Sequence, residues 1–299
     1  MSHAVPSGRT AAVPPFAPPD QLSPAASAAE PPAPDPRVRF FEWLLDGSLP
    51  DLPLSAVEQR QLAGLDARLA SASSCAELLP RAPAVISQLL KSLRDADQSG
   101  QALAHRVAKD PHLVAEVIRL ANSTHARAAS PVTDLVEAIA RLGTEGLRRV
   151  IARVVLTPMF DARSDPLTGR AAPRLWLHSE AKADACMRLA GAAGLDPFEG
   201  YLAGLMHNIG WTAALRAMDR SDCAAPAQFT RAFVPAIRLR TERFFATLVL
   251  PWQLTPLLTE LATESLDVGL AGSHSALARV LMAADQTATL KMLEAQPIR

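Results

Sequence analysis

Apolar residues recur at intervals of three and four along most of this chain, which is the period of an amphipathic α-helix. The segment "KDPHLVAEVIRLANS" shows the pattern well, because one side of the predicted helix carries Leu113, Val114, Val117, Ile118 and Leu120. Asp110 can cap this helix, and Pro111 suits its first position, where no backbone donor is needed. The pattern therefore predicts a helix that begins at Pro111.

The same period predicts helices along the rest of the chain. Upstream, "FFEWLLDG" suits a short helix, and Ser55 with a glutamate three residues later forms a capping-box signature for the next one. Further helices are predicted at 85–93, from Ser99 to Lys109, from Thr133 to a turn at Gly143, at 147–155, in "APRLWLHSEAKADACMRLAGAAG", from Asp196 and Pro197 onwards, and around 211–219, 229–249, 254–265 and 274–293. No segment alternates apolar and polar residues as a strand does. We therefore expect an all-α fold, a multi-helix bundle.

Proline and glycine divide the chain into four predicted parts. Residues 1–36 hold ten of the 25 prolines and few large apolar groups, so nothing repays the entropy of ordering them, and we expect a disordered tail. Residues 37–74 are predicted to be a helical linker or hairpin. Residues 75–163 are expected to form a compact N-terminal helical subdomain, and "SDPLTG" at 164–169 marks the start of a second helical subdomain, 164–299.

Composition excludes several classes of function. Lysine plus arginine and aspartate plus glutamate are 30 each, so no overall basic excess predicts direct nucleic-acid binding. The three cysteines form no CxxC pair, and the glycines form no phosphate-binding loop. No apolar run reaches the roughly 18 to 20 residues that span a bilayer, and no secretory signal opens the chain. The prediction is a cytoplasmic protein without a membrane contact or cofactor.

Four residues are the candidates for chemistry: His178, His207, Asn208 and Asp285. His207 and Asn208 lie at a predicted helix end, just before Gly210, whereas His178 is placed near the start of a helix. Asp285 lies within an otherwise apolar helix, where an unpaired carboxylate would be costly, so it needs a partner such as a histidine.

The chemistry of these four residues leaves several interpretations open. Imidazole and carboxylate are ligands for transition metals, but two neighbouring metals need a bridging carboxylate, and Asn208 is neutral. The favoured interpretation is a structural polar cluster between helices without a metal. If one metal is retained, His178, His207 and Asp285 would be its ligands. A basic strip of Arg141, Arg148, Arg149 and Arg153 can contact a phosphate or an acidic partner, although Glu145 among them favours a solvated face.

Three segments resemble a known family. "LPRAPAVISQLL", "VAKDPHLVAEVIRLANSTHARAASPVTDLVEAIARLGTEGLRRVI" and "YLAGLMHNIGWTAAL" are similar to the HDOD domain, the HD-related output domain of bacterial signalling proteins. The resemblance runs from about Leu78 to Gln286 and is most specific between Asp110 and Leu142. It implies an N-terminal helical subdomain packed on one derived from HD phosphohydrolases, and a regulatory role through contacts with signalling or regulatory proteins.

The resemblance also assigns positions and exposes departures. It matches His178 to the first HD histidine, His207 with Asn208 to the HD doublet, and Asp285 to the terminal aspartate. Around Glu242, a histidine common in relatives is missing, and "LLTELATES" lacks a further histidine pair. We therefore predict a non-catalytic signalling module. The alternatives are a metal-dependent phosphohydrolase of nucleotides or cyclic dinucleotides, and a second-messenger binder that uses the same pocket and the arginine strip without cleaving its ligand.

Overall fold

Helix is the only regular secondary structure in the described part of the chain, as the sequence pattern predicts. A computed structural model describes residues 1, 35–79, 105, 107–109, 111–124, 131–161 and 165–295, without the side chains of residues 112, 123 and 124. The described residues from Asp35 to Ala295 belong to one compact unit. The helices predicted at 85–93 and at 99–109 lie wholly or largely outside the described residues.

The helices of the described residues are numbered here in chain order. They are α1 (Pro36–Leu45), α2 (Ala56–Leu69), α3 (Ala72–Ala76), α4 (Pro111–Thr124), α5 (Leu135–Leu156), α6 (Pro166–Ala192), α7 (Pro197–His207), α8 (Ile209–Asp219), α9 (Phe233–Val249), α10 (Pro256–Gly272) and α11 (Ala276–Ala295). The four parts predicted from proline and glycine remain a prediction, although α6 begins close to the predicted boundary at 164.

Local capping chemistry sets several helix boundaries. Ser55 forms the predicted capping box with Glu58 at the start of α2, and the Asp196 carboxylate accepts a hydrogen bond from the backbone of Phe198 in α7. The start of α5 differs from the prediction, because Asp134 rather than Thr133 is its N-cap. The predicted turn at Gly143 is a kink inside α5, where glycine adopts a φ of 66°.

The long helix α6 is central to the second half of the fold and packs against α7, α8 and α11. Two glycines allow close approach of helices. A Cβ at Gly204 of α7 would lie 2.7 Å from the Cα of Ala183 in α6, and one at Gly210 of α8 would overlap the carbonyl oxygen of Thr241 in α9. These contacts fix the junction of α7 and α8, where His207 and Asn208 lie.

The N-terminal helix α1 contributes directly to this core. Its side chains Phe40, Phe41 and Leu44 are at most 5% exposed, and the helix packs against α6 and α11. Full burial of one such side chain stabilises a fold by roughly 1.5–3 kcal/mol. The helix α1 is therefore part of the core of the described chain, and the assignment of residues 37–74 to a helical linker or hairpin remains a prediction.

Candidate functional site

The structure brings the four predicted site residues into one buried cluster. His207 ends α7, Asn208 separates α7 from α8, and Asp285 lies in α11. His178 lies in the middle of α6, because this helix begins at Pro166 rather than near the histidine, so the predicted position of His178 in its helix was wrong. Its place halfway along a long helix is what allows it to face the α7–α8 junction.

A lysine that the sequence reasoning missed lies at the centre of this cluster. The side chain of Lys182 has no exposed surface, and its Nζ lies 2.8 Å from His207 Nδ1, 2.8 Å from Asn208 Oδ1 and 2.6 Å from Asp285 Oδ1. An ammonium group has three N–H donors, and three acceptors surround this one. Lys182 follows His178 by four residues, so the two side chains share one face of α6.

The amide of Asn208 uses both of its ends. Its Oδ1 accepts a hydrogen bond from Lys182, while its Nδ2 donates to the carbonyl oxygen of Leu175 at 3.1 Å and to Nδ1 of His178 at 3.1 Å. Lysine can only donate and a carbonyl can only accept, so these two partners fix the orientation of the amide. A carboxylate at this position has no donor for Leu175. Asparagine is therefore a specific fit to its surroundings.

The same contacts fix the tautomers of both histidines. His178 Nδ1 accepts from Asn208, so the ring proton is on Nε2, which donates to Thr289 Oγ1 at 3.1 Å. His207 Nδ1 accepts from Lys182, so its proton is on Nε2 as well. The lone pair of each imidazole is therefore engaged inside the cluster.

Burial keeps both histidines neutral, whereas neighbouring positive charges keep Asp285 ionised. Burial, with the Lys182 charge as the second cause, lowers the pKa of His178 to about 3 and holds the pKa of His207 well below its ordinary value. Burial alone would raise the pKa of Asp285, but the charges around it, first that of Lys182, hold this pKa well below normal. Burial lowers the pKa of Lys182, and its contact with Asp285 opposes that shift.

Arg238 of α9 forms the outer layer of the cluster. Its guanidinium lies 3.2 Å from Asp285 Oδ2 and 3.5 Å from Glu242 Oε1. Glu242, which matches a position of the family pattern, also accepts a hydrogen bond from the backbone of Leu270 at 3.2 Å. Burial raises the pKa of Glu242. The described contacts of this carboxylate join α9 to α10 and do not reach the histidines.

The helix α1 covers one side of the cluster. The ring centroid of Phe40 lies 4.6 Å from that of His178, and the phenyl group itself is 5% exposed. A cavity of about 550 Å³ lies beside it, bordered by Arg37 and Phe40 of α1, Arg238, and the α11 residues Asp285 and Thr289. The cavity reaches Asp285 and Thr289, but neither histidine borders it.

The residues of the cluster do not fit a metal ion of the HD type. The position between His207, Asn208 and Asp285 holds the ammonium of Lys182, and both imidazole lone pairs are engaged in hydrogen bonds. No group of three or more His, Cys, Asp or Glu side chains within the described ranges has the arrangement of a metal site.

The arginine strip is largely paired within the protein. Arg141 contacts Glu137, Arg148 contacts Glu145 at 2.6 Å, and Arg153 contacts Glu180 and lies over the ring of Trp176. None of the four strip arginines borders the cavity beside Asp285. A phosphate or an acidic partner at this strip would compete with these carboxylates, so contact by the strip remains only a proposal.

The described part of the chain is an all-helical, HD-related domain. The sequence profile of the HDOD domain matches residues 79–264, more than half of the chain. The chain therefore belongs to the HDOD domain family, as its motifs predict. No curated protein matches the chain significantly.

Solved structures share the fold. An HDOD domain protein of unknown function from Geobacter sulfurreducens is 23% identical, with a TM-score of 0.57, over 77% of this chain and 80% of its own. Two Shewanella amazonensis SB2B proteins are similar as well. One, a candidate phosphohydrolase, is 24% identical with a TM-score of 0.55 over 79% of this chain and 82% of its own. The other, a candidate metal-dependent phosphohydrolase, is 18% identical with a TM-score of 0.57 over 81% of this chain and 89% of its own.

These likenesses establish the helical fold alone. At this level of identity the names of the neighbours say nothing about catalysis by this chain. Among the described helices, none is long and apolar enough to cross a membrane.

Proposed function

We propose that this chain is a non-catalytic signalling module that acts through contacts with regulatory proteins in the cytoplasm. The observation that carries the proposal is the doubly bonded amide of Asn208, which donates to Leu175 and accepts from Lys182. A phosphohydrolase of the HD class needs an anionic ligand at this position to hold its metals. The amide instead closes a hydrogen-bonded network that stabilises the packing of α6, α7 and α11.

The cover over the cluster supports the same function. A hydrolase must bring a phosphate ester within reach of its catalytic groups, yet Phe40 packs on His178, and His207 is 6% exposed. The cavity near Asp285 is bordered by Phe40 and Thr289, which both contact His178, and neither histidine lines it. The cluster thus has the properties of a structural element. We propose that the surface of the helical scaffold, and not the cluster, contacts the partner proteins.

The test is a turnover assay with the full chain. We expect no hydrolysis of phosphomonoesters, nucleotides or cyclic dinucleotides in the presence of Mn²⁺, Fe²⁺ or Zn²⁺. Cross-linking of the tagged protein in its native cells, followed by mass spectrometry, is expected to recover the same partner proteins for the natural chain and for His207→Gln. Turnover that is lost in His207→Gln would establish the phosphohydrolase alternative and contradict the proposal.

A second candidate is a binder of a small anionic messenger. The cavity beside Asp285 favours it, because Arg37 and Arg238 both border a space of about 550 Å³. Ligand pockets have volumes of roughly 300–1,000 Å³, so a nucleotide-sized molecule would fit. Equilibrium dialysis with a panel of labelled nucleotides tests this candidate. Binding that is lost in Arg37→Gln, without turnover, would favour it over a module that acts through protein contacts alone.

A further inference from the structure

We propose that the ammonium of Lys182 is a built-in replacement for the metal cation of HD enzymes, and that it masks a latent metal site. This inference deepens the proposed non-catalytic function and rests on it. The three acceptors of the ammonium are His207, Asn208 and Asp285, which are three of the four positions that match the HD motif. One internal cation thus has the neighbours that an external cation would need.

Charge balance explains why the lysine is required once the metal is gone. Asp285 lies in a mostly buried position, and a buried carboxylate without a cation carries a large desolvation cost. Arg238 contacts its Oδ2 from the outer side, whereas Lys182 contacts its Oδ1 from the inner side. The inner positive charge holds the carboxylate at the cluster and also satisfies the lone pair of His207.

The geometry shows how little would have to move for a metal to enter. The three acceptor atoms lie 2.6 to 2.8 Å from Lys182 Nζ. Nitrogen and oxygen ligands bind transition metals at about 2.0–2.2 Å, so each atom would move inwards by roughly 0.6 Å. Two changes are then needed: the ammonium has to leave, and position 208 needs a carboxylate. Removal of the ammonium alone leaves Asp285 as the one carboxylate among the three acceptors, and a carboxylate at position 208 alone leaves the ammonium in place.

The experiment compares metal binding by four full-length proteins: the natural chain, Asn208→Asp, Lys182→Met and the double variant with both changes. Each is incubated with Mn²⁺ or Zn²⁺, desalted and measured for metal content and for the shift of its melting temperature with added metal. We expect about one ion per chain in the double variant only, which has imidazole and carboxylate ligands for such metals. The single variant Asn208→Asp should bind none, because the ammonium still fills the position.

Matched controls keep the outcome clear. Lys182→Ser with Asn208→Asp serves as a second double variant should the methionine side chain disturb folding, and His207→Gln added to either double variant should abolish metal binding. Metal loading by Asn208→Asp with Lys182 intact would overturn the inference, as would a folded double variant that binds no metal. These outcomes leave the turnover test of the proposed function untouched, so the two proposals can fail separately.

Discussion

The ring of Phe40 in α1 packs on the imidazole of His178 in α6, with 4.6 Å between the ring centroids. The phenyl group belongs to a helix upstream of the matched HDOD segment, so an element outside that segment covers the HD-related site. Removal of the ring should open a path from the cavity beside Asp285 to His178.

We predict that Phe40→Ala makes His178 reactive towards diethyl pyrocarbonate while the fold persists. Loss of a buried phenylalanine costs about 3–5 kcal/mol, so the comparison needs a control of equal cost. Phe198→Ala provides it, because Phe198 is equally buried but contacts Tyr201 instead. Mass spectrometry of modified peptides measures the reaction. Equal modification of His178 in both variants would mean that Phe40 is not its cover.

The hydroxyl of Thr289 is the described acceptor for the Nε2–H of His178. Thr289→Val keeps the shape but leaves a buried donor unsatisfied, and we expect a loss of about 1–3 kcal/mol in the free energy of unfolding. Thr287→Val, an exposed change in the same helix, should alter this free energy by less than about 0.5 kcal/mol. Urea unfolding measures both. Similar losses of unfolding free energy in the two variants would show that this hydrogen bond does not stabilise the cluster.

The buried histidines should make the protein sensitive to mild acid. The folded-state pKa of His178 is about 3, below the 6.5 of an unfolded histidine, so the unfolded chain binds more protons between these values. Stability is therefore complete above pH 6.5 and is lost as pH falls towards 3, at up to about 1.4 kcal/mol per pH unit for each such histidine. The lowered pKa of His207 acts in the same direction.

Unfolding curves between pH 7 and pH 4.5 measure this slope. His178→Gln keeps a donor towards Thr289 but does not titrate, so we expect a smaller dependence on pH. His105→Gln, a change at an exposed histidine, is the control for the loss of one imidazole. An unchanged slope in His178→Gln would show that this imidazole is not buried in its neutral form.

Helices α8 and α9 pack so closely at Gly210 that the structure has no room for a side chain there. A Cβ there would overlap the carbonyl oxygen of Thr241, so we expect Gly210→Ala to cost at least about 1–3 kcal/mol. Gly64 lies inside α2 with no atom near its hypothetical Cβ, and Gly64→Ala should stabilise the fold by about 0.5–1 kcal/mol. Thermal unfolding compares the two. A neutral Gly210→Ala would contradict the close contact of α8 and α9.

Much of the fold could be predicted because its signals are local. The helical period, the capping box at Ser55 and the Asp196–Pro197 start each depend on neighbours in sequence, and the structure confirms them. The exact cap of α5 could not be fixed, because Thr133 and Asp134 are both good caps and their tertiary surroundings decide between them.

The site was only partly predictable because its central contacts are distant in sequence. His178, His207, Asn208 and Asp285 were candidates from their residue types and helix positions, and the family resemblance matched them to one motif. The role of Lys182 depends on a contact with Asp285, more than a hundred residues away. One local signal was present: Lys182 follows His178 by four residues on a helix face with small neighbours, where a lysine needs a buried partner.

The packing of α1 was hidden for a similar reason. The apolar residues of "FFEWLLDG" predict a helix, but no local feature reveals that the helix covers His178. A residue pattern shows which face of a helix is apolar, but it does not show which other helix that face contacts.

The charge state of Lys182 is the most direct test of the claim that an internal ammonium group takes the place of a metal ion at this site. The chain has four lysines, so a nitrogen-15 spectrum of lysine side chains is simple to assign. At neutral pH we predict one ammonium signal with slow hydrogen exchange that disappears in Lys182→Met, with a coupling across the hydrogen bond to His207 Nδ1. Fast exchange for all four ammonium groups, or a metal ion bound to the natural protein in place of the Lys182 contacts, would contradict an internal cation at this site.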